Sequence, residues 1–108
     1  MRYRRKGSIM RYIHGNPNAE LWENLVEEDS LTVTHLVIPA GEDIPEHFAK
    51  ADVVVVPVKG KVDFIDTKAD TSEPIEPGDI VRMVPGEHHA LHAIEDAELM
   101  VVKSQLRP

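Results

Sequence analysis

The sequence contains no cysteine. That excludes disulfides, cysteine-ligated zinc, iron–sulfur clusters and thiol catalysis together. Tyrosine is almost absent: Tyr3 and Tyr12 are the only two, both near the N-terminus. A histidine base working beside a tyrosine acid is therefore the weakest of the enzyme readings. No long apolar run exists; the longest, Val53 to Val58, is far too short to span a bilayer, so no membrane role is expected. Positive charge is in short supply, with 12 Lys and Arg against 19 Asp and Glu, a formal charge of −7. That balance argues against a general nucleic-acid binder. No G-x-S-x-G elbow and no Walker or Rossmann glycine loop occurs. The basic start is not followed by an apolar signal core, and a cytoplasmic protein is expected.

What is present is one domain's worth of chain, 108 residues with 42% hydrophobic content. Residues 1–11 hold five of the 12 basic side chains: Arg2, Arg4, Arg5, Lys6 and Arg11. This arm either contacts phosphate or a neighbouring subunit, or is a loose end. His14-Gly15-Asn16-Pro17-Asn18 is a turn signal. Ala19 to Glu28 reads as either a short helix or a strand. Residues 1–30 are taken as an N-terminal segment and 31–108 as a barrel.

From Leu31 onward the pattern is β. Leu31 to Ile38 is rich in β-branched residues, and its odd set, Leu31, Val33, His35 and Val37, is expected to face inward. The even set, with Leu36 and Ile38, would then cover a partner or the N-terminal segment. Asp52 to Val58 barely alternates, as a strand buried on both faces would, and its Pro57 signals an edge or a bulge. Hairpins are expected at Lys59-Gly60 and around Glu95-Asp96. About eight short strands with turns every 8–12 residues imply a β-sandwich or small barrel. The lone Trp22 is expected to pack at a core edge or a dimer contact.

Two segments carry glycines and histidines at distinctive spacing. Gly41 is followed by five residues and His47, with Gly60 further on; Gly78, Gly86 and His89 follow in a second group. This spacing resembles the two motifs of the cupin superfamily, over about residues 31–103. The resemblance implies a double-stranded β-helix, a jelly-roll barrel, with a site in its mouth. It also implies that motif histidines would meet a divalent metal there (Mn, Fe, Ni or Zn), and that the chain forms a homodimer. The match is incomplete. Ala49 stands at the second histidine of H-x-H, Val53 at the glutamate, and Ala93 at the final asparagine. Of the four usual ligands only His47 and His89 remain, and two imidazoles alone bind a metal weakly.

Other residues are candidates to complete a site. His35 would serve if its face points inward; otherwise it is a buried histidine satisfied by hydrogen bonds. Asp52 would serve if a bulge turned it inward. Arg82 could reach the cavity or stay at the surface. His88 and His92 have the opposite parity to His89 and should face out, the rival reading being a separate surface metal site. The expected function is a small-molecule binding module centred on His47 and His89, with a metal as a further possibility. The alternative is a metal-dependent enzyme of dioxygenase or isomerase type.

Overall fold

A computed structural model describes residues 10–105. The basic arm lies outside these residues except for Met10 and Arg11. The described chain is all β, in nine strands: β1 (Leu21–Glu27), β2 (Leu31–Ile38), β3 (Asp43–His47), β4 (Asp52–Lys59), β5 (Val62–Asp66), β6 (Thr71–Ile75), β7 (Val81–Met83), β8 (His89–Ala93) and β9 (Ala97–Ser104). They form two antiparallel sheets, one of order β1-β2-β9-β4-β7 and one of order β3-β8-β5-β6. This is the double-stranded β-helix expected from the sequence, with one strand more.

The ambiguous segment after residue 19 is strand β1. It pairs along β2, from Leu21 opposite Val37 to Glu27 opposite Thr32. Two expected hairpins are not hairpins. β4 lies in one sheet and β5 in the other, and β8 and β9 are likewise split. The turns at Lys59-Gly60 and Glu95-Asp96 instead carry the chain across the barrel. They meet each other: a Cβ on Gly60 would lie 2.0 Å from the Asp96 carbonyl oxygen, and Gly60 has φ +75°. Only glycine fits this crossing. Pro57 is accommodated in an interior strand because β7 pairs only with Val53 to Val55 of β4, and the β4–β9 register shifts just beyond Pro57.

The core lies between the sheets. Ile38, Val53, Val55, Val62, Leu91 and Leu99 are each at most 3% exposed. The even set of β2 therefore faces inward, not the odd set. Ile38 is buried in the core and Leu36 packs against it. Leu36 and Ile38 are thus not available to cover a partner. The parity was misjudged because both faces of β2 are largely apolar and both are shielded. On the odd face Val33, His35 and Val37 are all at least half-buried. Trp22 is 55% exposed and does not anchor the core.

Truncating a fully buried side chain removes apolar contact and leaves a cavity, which costs about 2–5 kcal/mol for Leu→Ala. Leu99→Ala is expected to lose that amount in denaturant unfolding. Val58→Ala, at a 46% exposed position, should stay within about 0.5 kcal/mol of the parent.

Candidate functional site

His47 and His89 meet at the barrel mouth, His89 buried and His47 exposed. They are direct cross-strand partners on β3 and β8. Alternation alone would put Glu46, not His47, on the same face as Ile44. The β3–β8 register shifts between Ile44 and His47, where one extra residue is inserted in β3. That bulge turns His47 inward and Glu46 outward, and the Glu46 carboxylate pairs with His88 at 2.9 Å. A bulge re-aims a side chain at a site, but it lies here in β3 and not beside Asp52.

The two imidazoles have ring centroids 4.1 Å apart at a 58° tilt. His89 also stacks on Phe64, with centroids 5.4 Å apart and planes 6° from parallel. His47 Nδ1 lies 3.0 Å from the Pro45 carbonyl, and His89 Nδ1 lies 3.3 Å from that of Glu87. A carbonyl only accepts, so each Nδ1 carries the proton and donates. Neither Nε2 has a protein partner among the described residues. Burial holds the His89 pKa below the ordinary histidine value, helped by positive charge from His47, Lys103 and His88. His89 is therefore a neutral imidazole at pH 7.

The cavity beside them has a volume of about 100 Å³. Leu36, Val53, Val55, Phe64, Leu91 and Val101 form its walls. Its polar groups are Thr34, His47, His89 and Lys103. Sequence reasoning missed Lys103. The signal was there: Lys103 has the parity of Leu99 and Val101 on the last strand. A larger groove of about 710 Å³ runs between the edge strands β6 and β7, and shares Phe64 and His89 with the inner cavity.

The other candidates lie elsewhere. His35 is 1% exposed but sits on the opposite face of its sheet. Its Nδ1 is 2.7 Å from Glu23 of β1 and its Nε2 is 2.8 Å from Glu98 of β9. Both ring nitrogens are engaged, so His35 is a buried, hydrogen-bonded histidine and does not join the site. Gly15 lies over its ring, where a Cβ would come within 2.8 Å of Nδ1. The Asn16 amide donates to the same Glu23 carboxylate at 2.6 Å. Asp52 points outward and pairs with Arg82 at 2.8 Å. Arg82 also donates to the Met83 carbonyl. Neither residue reaches the inner cavity, although Arg82 lines the outer groove. His88 and His92 face out as expected, but each has its own carboxylate, Glu46 and Asp43. Among the described residues no cluster of three or more His, Asp and Glu could hold a metal.

Fold and site together define a small cupin-type barrel with a histidine pair at its mouth. No family model matches the sequence, and no curated protein matches it. Solved structures do match. An RmlC-like cupin with a double-stranded β-helix fold from Methanocaldococcus jannaschii superposes with a TM-score of 0.76 at 24% identity, over 91% of this chain and 93% of that one. A cupin superfamily protein from Desulfitobacterium hafniense gives 0.73 at 16% identity, over 85% and 83%. A structure described as a putative mannose-6-phosphate isomerase from Ralstonia eutropha gives 0.70 at 17% identity, over 85% and 97%. The chain has the double-stranded β-helix fold of the cupin superfamily.

A divalent metal is what this fold suggests, and the donor set does not fit one. At the four ligand slots stand His47, Ala49, Val53 and His89. Val53 is 2% exposed, and its register partner on β9 is Lys103. Where a carboxylate would neutralise a cation, the pocket presents an apolar wall and an ammonium. Like charges repel, so an ammonium lining the pocket disfavours a dication beside it.

The His35 clamp sets a pH dependence. Burial opposes charge on His35, but the hydrogen bonds and charges of Glu23 and Glu98 outweigh it and raise its pKa above the ordinary 6.5. A raised folded-state pKa gives stability that is fully present below the unfolded value. It is lost as pH rises through the folded value. The Glu23 pKa is lowered by His35 and by the Asn16 amide, so its contribution is lost as pH falls through that lowered value. The His35 contribution to the unfolding midpoint should therefore fall as pH rises above 6.5, while His89, whose pKa is lowered, contributes in the opposite sense near 6.5. His35→Gln should flatten that slope, and an unchanged slope would remove the clamp.

Proposed function

We propose that this chain is a small-molecule binding protein whose barrel pocket holds one compact polar ligand through His47 and His89. The observation that carries this reading is the pair of imidazoles 4.1 Å apart, each with a free Nε2, at the polar end of an otherwise apolar cavity. Apolar walls with a few convergent polar groups are the usual form of a ligand site. The walls desolvate the ligand, and the two Nε2 atoms fix its orientation. Neutral imidazoles accept a hydrogen bond and, once protonated, donate one, so they suit hydroxyl, carboxyl or phosphoryl groups. The alternative of a metal-dependent dioxygenase or isomerase would need a carboxylate where Val53 stands.

His47 is exposed, so its removal should leave the fold intact, with a change within about 0.5 kcal/mol. In a ligand-observed NMR screen of compact polar metabolites, compounds bound by the parent should bind His47→Ala at least tenfold more weakly. Unchanged binding by that folded variant would sink the pocket assignment.

A further inference from the structure

We infer that the barrel pocket is an oxyanion site, in which Lys103 supplies the positive charge and His47 and His89 orient one carboxylate or phosphate group. This rests on the reading of the same pocket as a ligand site and adds the chemical class of the ligand.

Three observations converge on it. First, Lys103 belongs to the inward set of β9. It lies opposite Val53 on β4 and Thr32 on β2, and it lines the cavity. Its charge is felt at the His89 ring. Second, no described carboxylate answers that charge. No Asp or Glu lines the cavity among the described residues, and Lys103 takes part in none of their ion pairs. An ammonium in a half-buried, apolar-walled cavity is costly to desolvate unless an anion accompanies it. Third, the carboxylates of β3 are turned away, and those of the outer groove, Asp66, Glu73, Asp79 and Glu87, do not line the inner cavity. Glu46 is held by His88 and Asp43 by His92, both on the outside of the β3–β8 pair. The chain carries a net −7, yet this cavity presents only cationic and neutral groups. Thr34, on the same wall, donates its hydroxyl to Asn24 and is already committed. The anion's partners are thus the ammonium and the two imidazoles; an anionic oxygen only accepts and each Nδ1 is committed to a backbone carbonyl, so each imidazole takes up a proton on Nε2 in the bound state. A volume of about 100 Å³ restricts the bound portion to a compact group.

The test uses the full chain with ¹⁵N-labelled histidine, watched through the ring resonances of His47 and His89. The probes are sodium acetate, sodium oxalate and sodium phosphate, with glycerol as the neutral control, all at constant ionic strength in chloride. At least one oxyanion should shift both rings saturably, and glycerol should not. Acetate or oxalate alone assigns a carboxylate; phosphate alone assigns a phosphoryl group. Lys103→Met keeps the length of the stem and removes the charge. It should weaken that binding at least tenfold, with Lys103→Gln as the second variant if the first does not fold. Equal binding by the neutralised variant overturns the inference, as does a response to glycerol without a response to any oxyanion. In both cases the pocket reading survives. Silence of both rings toward all four probes overturns the inference; the pocket reading then stands or falls on the metabolite screen. Zinc and manganese chloride provide the opposite control. The parent rings should not respond to micromolar metal, whereas Lys103→Glu should gain at least a hundredfold in zinc affinity. Tight metal binding by the parent rings would overturn the oxyanion assignment and keep the pocket.

Discussion

Strand β9 is the constraint on which the rest depends. It is hydrogen-bonded along its length to β2 on one side and β4 on the other. Its alternation therefore decides what stands inside the barrel and what stands outside. Ala97, Leu99, Val101 and Lys103 go inward; Glu98, Met100 and Val102 go outward. One register thus places both the ammonium of the pocket and the carboxylate that holds His35. A slip by one residue would exchange the two faces, burying Glu98 in the core and exposing Leu99.

The buried histidines show how far environment outranks residue type. His35 and His89 are 1% and 7% exposed. His35 stands between two carboxylates, and its pKa is pushed up. His89 stands beside Phe64, His47 and Lys103, and its pKa is pushed down. The first is a clamp joining β1, β2 and β9, its charged form favoured by the two carboxylates. The second is a neutral donor and acceptor facing a cavity. Burial penalises the charge on both, and the sign of the neighbouring charges decides the outcome.

The pocket brings two histidines together but gives them apolar and positive surroundings. The β3 bulge brings His47 to His89, as a metal pair would require. Val53 and Lys103, opposite each other on β4 and β9, then make the remaining wall apolar and positive. Two imidazoles held close together are equally able to grip an oxygen atom of an organic ligand. The groove between β6 and β7 meets the inner cavity at Phe64 and His89, where the two sheets part.

Much of the fold was legible in the sequence because strand periodicity and turn residues are local. The Gly41–His47 and Gly78–Gly86–His89 spacings marked the barrel and two histidines that line its cavity. Whether β8 and β9 form a hairpin or cross between sheets was not legible, since a tight turn serves either path. The inward face of β2 was not legible either: the Gly15 turn, Glu23 and Glu98 shield its outer side, so both faces carry apolar residues. The roles of His35 and Asp52 were settled by partners 12 to 63 positions away, Glu23, Arg82 and Glu98. The sequence determined most of the strands, the turns and an apolar Val53 where a ligand would stand, because each is a property of neighbouring residues. Only the tertiary structure decided that Lys103 shares a cavity with His47 and His89, because charge acts through space and strand pairing sets which side chains share it.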